Sequence, residues 1–240
     1  MKLAKTVAFG LVLGLGSAAW ADDAPAPAPA LPDTDYVYDA VWAGMPGGQV
    51  EVALKPEGAA GCYRYTSVAR PTAMVKMLYG SANQASLFCL KDGRIRSHHF
   101  ETVVSGNDKL SYHLDFDWDK HSVDDGAGQV REIPDDAIDS LALEQAVRLW
   151  VIAHAGDAAA PVAEFTMVDH KNLTHYQFKL NGHEQVQTPA GTFDALVMER
   201  VDNPNKLGRF WIAPELGYTL VKSQTRSGSV GVVEMTLVKK

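Results

Sequence analysis

The densest group of side chains that could bind a metal ion lies between residues 113 and 125. It comprises His113, Asp115, Asp117, Asp119, His121, Asp124 and Asp125. Carboxylate oxygens are the ligands that Ca²⁺ prefers, so such a row could form a calcium site. Along one face of a β-strand, however, neighbouring carboxylates are ~7 Å apart and do not converge on one ion. The segment also lacks the residue order of a calcium-binding loop. We interpret it as a solvated face that discourages edge-to-edge association of sheets.

The eight histidines show no grouping that is typical of a metal site. His98 and His99 are adjacent, and His170 and His175 are five residues apart, so each pair points to opposite faces of a strand. The sequence has no His-Glu-x-x-His motif, no Gly-x-Ser-x-Gly elbow and no phosphate-binding glycine loop. It therefore predicts no catalytic, metal-binding or cofactor-binding residue, and no cofactor. A pair of Asp or Glu side chains acting on a glycan stays open, because the separation of two carboxylates is a three-dimensional property.

The N-terminal residues follow the order of a secretory signal peptide. Lys2 and Lys5 precede an apolar run over residues 7–15, and the small-x-small sequence Ala19-Trp20-Ala21 follows. The run is shorter than the roughly 20 apolar residues of a transmembrane helix. We expect cleavage after Ala21, export to the periplasm and no transmembrane segment in the mature protein. The Pro- and Ala-rich residues 22–34 indicate an extended tether, which leaves residues 35–240 as a single β-rich domain.

Charge and cysteine content restrict the partners and the compartment. The net charge of −7 argues against nucleic acid as a partner. Cys62 and Cys89 are the two cysteines, and each lies in a strand-like stretch. Because exported proteins form disulfides in an oxidising compartment, we expect a Cys62–Cys89 bond across neighbouring strands. The spacing of the two cysteines matches no zinc site.

Many segments alternate apolar and polar residues with the period of two that is typical of half-buried strands. Residues 50–55, 112–119, 175–180 and 233–237 are clear examples. Turn sequences separate such segments. Asp92-Gly93 predicts a tight hairpin, and Asn181-Gly182 and Ala190-Gly191 indicate breaks between later strands. We count about ten strands joined by short turns, which predicts an antiparallel meander.

One segment has a helical period instead. Residues 134–136, Pro-Asp-Asp, are typical of a helix start, and Gly156 is a suitable end. We predict one amphipathic helix from about Asp136 to Ala155, packed on the sheet; residues 73–79 are a candidate for a second, shorter one. The fold class is therefore mostly β: an antiparallel curved sheet or an open β-barrel of about ten strands with one packed α-helix, with a β-sandwich as the alternative. The predicted apolar stripe of the helix consists of Leu143, Val147, Trp150 and His154.

Aromatic residues are spread over many of the predicted strands. On a curved sheet, such residues line either a packed core or a ligand cavity, and both interpretations stay open. They include Tyr63, Tyr65, Phe100, Phe116, Phe165, Tyr176, Phe178 and Phe210.

A pattern in the last third of the chain resembles a known family. Residues 182–195 contain Gly-x-Glu and then Thr-Pro-x-Gly-x-Phe, and Phe-Trp-Ile-Ala-Pro follows at 210–214. The motif residues are Gly182, Glu184, Thr188, Pro189, Gly191, Phe193 and Trp211. The pattern resembles a family of exported Gram-negative proteins whose domain has no assigned function, and residues 139–141 with Arg148 are similar to that family's helix opening. The resemblance implies a periplasmic β-rich domain and no catalytic residues. Pro189 and Gly191 also fit a tight turn between strands.

Together these features favour a non-catalytic periplasmic protein that binds an apolar, lipid-like ligand or an envelope partner. The predicted helix would cover the mouth or the concave face of the sheet. Two alternatives stay open: an envelope enzyme that acts on glycan or lipid through Asp or Glu residues, and a scaffold that binds a protein through an exposed sheet edge.

Overall fold

The computed structural model describes residues 31–157, 159–226 and 231–240. The predicted signal peptide, residues 1–21, and most of the predicted tether lie outside these residues. Leu31, near the end of the tether segment, is buried, and its backbone N–H donates a hydrogen bond of 3.1 Å to the Tyr63 hydroxyl. The chain is therefore fixed to the domain before the first strand begins.

The described part of the chain forms fifteen strands and two α-helices, together with two single 3-10 turns at Asp108–Leu110 and Pro214–Leu216. The elements in chain order are β1 (Thr34–Trp42), β2 (Met45–Pro56), β3 (Cys62–Pro71), α1 (Ala73–Tyr79), β4 (Ser81–Lys91), β5 (Arg94–Ser105), β6 (Tyr112–Asp117), β7 (Ser122–Asp124), β8 (Val130–Glu132), β9 (Ala137–Asp139), α2 (Ala142–His154), β10 (Ala163–Val168), β11 (Leu173–Thr188), β12 (Gly191–Arg200), β13 (Gly208–Ala213), β14 (Thr219–Arg226) and β15 (Val232–Lys239).

All fifteen strands belong to one sheet, in the order β8-β7-β6-β5-β4-β3-β2-β1-β15-β14-β13-β12-β11-β10-β9. The chain builds outward from β1 to β8, crosses to the other edge, and returns inward to β15, which pairs with β1. Because only residues 133–136 join β8 to β9, the two edges lie close together and the sheet is strongly curved without closing. The predicted fold class is confirmed. The count of about ten strands was too low because β7, β8 and β9 have three residues each, too few to show a period of two.

The pairing is antiparallel except where β9 lies parallel to β10. These two strands flank α2 in the chain, so β9, α2 and β10 form a crossover unit. The prediction of a purely antiparallel meander is wrong at this connection. A helix long enough to cross the sheet returns the chain to the same end, and the next strand then runs parallel to the previous one.

Two dipeptides with similar turn chemistry have different roles. Asp92 and Gly93 have φ values of 52° and 73° and form the predicted hairpin turn between β4 and β5. Asn181-Gly182 does not end a strand, because it lies inside β11, where the register with β12 shifts between Leu180 and His183. Gly182 has a φ of 74° there. A β-bulge with glycine in the left-handed region uses the same backbone conformation as a hairpin turn, which is why the sequence pattern could not distinguish them.

The disulfide is present as expected. Cys62 and Cys89 are directly paired residues of β3 and β4, and their sulfur atoms are bonded. The bond links two neighbouring strands in the first half of the sheet.

Helix α2 begins at Ala142 and not at Asp136. Residues 137–139 form β9 instead, and the side chain of Asp139 caps the N-terminus of the helix. Its Oδ1 accepts hydrogen bonds from the backbone N–H groups of Leu141 (2.9 Å) and Ala142 (2.8 Å). A side-chain oxygen of this kind satisfies N–H groups that have no partner within the helix. The buried residues of α2 are Ala142, Gln145, Arg148 and Val151. The buried face therefore differs from the predicted apolar stripe and includes two polar side chains.

Candidate functional site

A cavity of about 290 Å³ lies between α2 and the sheet. Its walls come from both halves of the chain, because β1, β2 and β3 contribute together with β11, β13, β14 and β15. The volume is close to the lower end of the roughly 300–1,000 Å³ that is typical of ligand pockets. Its apolar lining includes Leu143, Val147, Phe178, Phe210, Ile212 and Met235.

Glu144 lies in the first turn of α2 and lines this cavity. The hydroxyl of Tyr65 lies beside its carboxyl group. Burial raises the pKa of Glu144 above its ordinary range, although Tyr65 and the positive charge of Arg148 both favour the charged form. The side chain is thus a partly buried acid that can exchange a proton and has capacity for a further hydrogen bond.

Arg148 lies one turn further along α2 and is buried. Its Nε and Nη2 donate to the carbonyl oxygen of Gly217 over 2.9 and 2.7 Å, and its Nη1 contacts Oε1 of Gln145 at 3.4 Å. Burial lowers the pKa of Arg148, but a guanidinium group stays charged in proteins. The cavity therefore holds a fixed positive charge beside the titratable carboxyl of Glu144.

Three tyrosines add further polar groups to the lining. The Tyr38 hydroxyl donates to the Leu220 carbonyl over 2.8 Å, and the Tyr36 hydroxyl accepts from Oγ1 of Thr219 over 3.3 Å. Burial raises the pKa of Tyr38 and Tyr65 well above the ordinary value, so both remain neutral hydroxyls. These groups come from β1, β3 and α2, whereas the phenylalanines come from β11 and β13. The cavity thus has a mostly apolar lining into which a few polar groups project.

Asp139 lies beside the start of α2 but does not line the cavity. Its Oδ2 accepts from the hydroxyls of Ser86 (2.7 Å) and Ser97 (2.6 Å), while Oδ1 caps the helix. The carboxyl is fully buried, and this burial raises its pKa despite the four hydrogen bonds. Asp139 joins β4, β5, β9 and α2, so this residue of the family-like helix opening has a structural role, whereas Ser140 and Arg148 line the cavity.

The family-motif residues lie on the β11–β12 hairpin and on β13, outside the cavity lining. Glu184 accepts hydrogen bonds from Arg209 and, over 2.7 Å, from Nε1 of Trp211. Phe210 and Ile212 line the cavity, and side chains alternate along a strand. Trp211 therefore lies on the opposite face of β13 from the cavity.

The remaining motif residues form the turn and its support. Thr188 Oγ1 accepts from the Ala190 N–H over 3.1 Å and donates to the Gly191 carbonyl over 3.1 Å. Pro189 is in this turn, Gly191 has a φ of 141°, and Phe193 is buried in the core. Gly182 forms the bulge described above. The motif predicts a hairpin and its anchoring to β13, and it is separate from the cavity.

The acidic row occupies β6, β7 and the turns next to them. Asp115 is exposed and contacts Nδ1 of His99 at 2.7 Å and Nε2 of His113 at 3.6 Å. Asp125 is buried and accepts from the backbone N–H of Ala127 over 2.9 Å. Across the described residues, no group of three or more His, Cys, Asp or Glu side chains is placed to hold a metal ion.

The sequence indicated only part of the cavity. Tyr65, Phe178 and Phe210 belong to the aromatic set that could line either a core or a cavity, and they line the cavity. Glu144 was missed, because an acid and a base four residues apart on a helix are usually an exposed pair. One feature of the sequence could have indicated that Glu144 faces the interior: Glu144 and Arg148 lie beside the apolar positions of the same helix.

The described part of the chain contains no helix with the length and apolar character needed to cross a bilayer. A search of curated proteins gives no match to this chain. A crystal structure from Brucella abortus, of a β-barrel-like protein of the domain of unknown function DUF1849, is similar with a TM-score of 0.57 at 12% identity, covering 88% of this chain and 97% of that one. A putative lipoprotein from Parabacteroides distasonis ATCC 8503 aligns at 12% identity over 88% of this chain and 96% of that one, with a TM-score of 0.36.

The likeness to the Brucella protein supports the open, barrel-like fold. The family model for DUF3108, proteins of unknown function, matches residues 37–238. That match covers nearly all of the β-rich region described above, including most of the cavity lining and the hairpin motif. This chain therefore belongs to the DUF3108 family of proteins of unknown function.

Proposed function

We propose that this protein is a non-catalytic binding protein of the periplasm that holds an amphipathic, lipid-like ligand between α2 and the sheet. The observation that carries the proposal is the cavity of about 290 Å³ with a mostly apolar lining and a few polar groups. Ligand pockets are mostly apolar and contain a few polar groups that fix the orientation of the ligand. The cavity has this composition.

The lining residues suggest how such a ligand would lie. Its apolar part would pack on Phe178, Phe210 and Val147, where removal of hydrocarbon from water provides the affinity. Its polar end would reach Glu144, whose carboxyl group can accept a further hydrogen bond, or donate one when protonated. The neutral hydroxyls of the tyrosines would surround that end without adding charge.

Two features support a location outside the cytoplasm. The Cys62–Cys89 disulfide is typical of exported proteins, because cytosolic thiols are kept reduced. The N-terminal residues have the order of a signal peptide, which we propose is removed after Ala21. Residues 35–240 would then act as one domain joined to a short N-terminal tether.

The enzyme alternative would need two carboxyl groups that face the same cleft. Glu144 faces the cavity, but Asp139, the fully buried acid near the start of α2, has both oxygens occupied by Ser86, Ser97 and the helix N-terminus. This arrangement favours binding over hydrolysis.

Native mass spectrometry of protein purified from the periplasm without detergent tests the proposal. We expect a mass excess that solvent extraction identifies as an amphiphile. A Val147→Trp variant should lose it, because the larger ring fills the cavity. Ala153→Trp is the matched control, since Ala153 is exposed on the same helix.

Circular dichroism and thermal unfolding should show that both variants remain folded. Retention of the same ligand by folded Val147→Trp would overturn the cavity as its site. A wild-type protein that carries no ligand and takes up none from a bacterial lipid extract would overturn the proposed function.

A further inference from the structure

An exposed apolar surface lies at one end of the sheet, on the short helix α1. This helix buries none of its residues. Met77 is 79% exposed and Leu78 is 53% exposed, and Met74 and Tyr79 are also exposed. Large apolar side chains that are adjacent and exposed are uncommon on monomeric proteins and mark interaction sites.

The turn between β1 and β2 extends this surface. The rings of Trp42 and Tyr79 meet edge to face with centroids 5.1 Å apart, and Met45 is exposed in the same turn. The Thr72 N–H donates to the Gly47 carbonyl over 2.9 Å, which fixes the start of α1 against the turn. Together, α1 and the β1–β2 turn form one continuous surface, which we call the apolar end.

The apolar end differs in charge from the rest of the molecule. The chain has a net charge of −7, but residues 41–48 and 71–82 contain one charged side chain, Lys76, and no carboxylate. The end of β5 reaches the same place, since Ser81 pairs with Ser105, and residues 102–107 carry no charge either. The next charged residues in this loop are Asp108 and Lys109, of opposite sign, so the segments that form this end carry little charge and no net negative charge.

We propose that the apolar end docks on the surface of a lipid bilayer, with α1 and the β1–β2 turn inserted at the level of the headgroups. Trp and Tyr are enriched at this depth because their rings are amphipathic. Met and Leu side chains gain free energy by entering the acyl boundary. The lack of carboxylates avoids repulsion by anionic headgroups, and Lys76 adds attraction. A protein partner would more often face a surface with Arg and a polar rim.

Flotation with vesicles of phosphatidylethanolamine and phosphatidylglycerol tests this docking. We expect wild-type protein to float with the vesicles. The double variant Met77→Asp/Leu78→Asp should bind at least about tenfold more weakly, because two apolar side chains no longer leave water. Leu173→Asp is the matched control, since Leu173 is an exposed apolar residue on β11 and should not affect flotation.

Because α1 buries none of its side chains, the double variant should keep the wild-type unfolding temperature. Equal flotation of the double variant and the wild type would overturn the proposal, as would a wild-type protein that does not float. Sedimentation distinguishes a second copy of the chain as the partner. The proposal would also be overturned if wild-type protein were a dimer, the double variant were a monomer and neither protein bound vesicles, because the apolar end would then contact a second copy. Val147→Trp should float like wild type, so the docking and the cavity are tested separately.

Discussion

Two carboxyl groups lie within five residues of each other at the start of α2 and differ in how fully their oxygens are occupied. Asp139 is fully buried and has hydrogen bonds on both oxygens, to two serine hydroxyls and two backbone N–H groups. Glu144 is partly buried, lies beside the Tyr65 hydroxyl and faces a cavity. Burial raises the pKa of both groups, so a raised pKa alone does not distinguish them. The difference in bonding indicates that Asp139 stabilises the fold and that Glu144 is free to interact with a ligand.

The largest expected effect is on stability, from Asp139→Ala. This change leaves the buried hydroxyls of Ser86 and Ser97 and the first N–H groups of α2 without their acceptor. Each unpaired buried group costs about 1–3 kcal/mol, so we expect the free energy of unfolding to fall by at least about 3 kcal/mol. Urea denaturation measures this loss.

Ser97→Ala is the partial version of the same change and should cost less than Asp139→Ala, because the other three hydrogen bonds to Asp139 remain. A loss below about 1 kcal/mol for Asp139→Ala would show that the network contributes little, and the contrast with Glu144 would fail.

In contrast to Asp139→Ala, Glu144→Gln should have a small effect on the free energy of unfolding and a larger effect on ligand binding. The amide keeps an acceptor for the Tyr65 hydroxyl, so we expect the free energy of unfolding to change by no more than about 1 kcal/mol. The fraction of protein that retains its native ligand in the mass spectrum should fall several-fold, because the polar end of the ligand loses its charged or proton-donating partner. Full retention of ligand by Glu144→Gln would show that the carboxyl group of Glu144 does not hold the ligand.

Sequence patterns predicted the parts of this fold that repeat and missed those that depend on a single contact. The strands β2, β11 and β15 follow from the alternation of apolar and polar residues along the chain. The pairing of Cys62 with Cys89 follows from the chemistry of two cysteines in an exported protein. The start of α2 could not be predicted in the same way. Asp139 caps the helix only because Ser86 and Ser97, more than forty residues away in sequence, hold its other oxygen.

The cavity was beyond prediction for a related reason. Tyr65 on β3, Phe178 on β11 and Glu144 on α2 meet only when the two halves of the sheet curl toward each other. The hairpin motif was readable because its residues are close in sequence, and it specifies a turn and its contacts to β13. The most recognisable residues of the chain are thus structural, and those of the candidate site are ordinary in sequence.

The smallest expected effect is a pH dependence of the free energy of unfolding that is caused by the titration of Glu144. Because burial raises its pKa, the folded protein binds this proton more tightly than the unfolded chain does. The resulting stabilisation is fully present below the ordinary pKa of a glutamate and is lost as the pH rises through the higher folded value. The amide introduced by Glu144→Gln does not titrate, so the stability of wild type relative to this variant should decrease as the pH increases from about 4 toward neutral. Asp139 titrates in both proteins, and its contribution cancels in the difference.

Urea denaturation of the two proteins over a pH series measures this difference, and parallel curves would contradict it. Tyr65→Phe sharpens the test. The Tyr65 hydroxyl favours the charged form of Glu144, so its removal should move the decrease to higher pH. A shift to lower pH would mean that the hydroxyl stabilises the protonated acid, and the O–H of Glu144 would then be donated to Tyr65 and not to a group in the cavity.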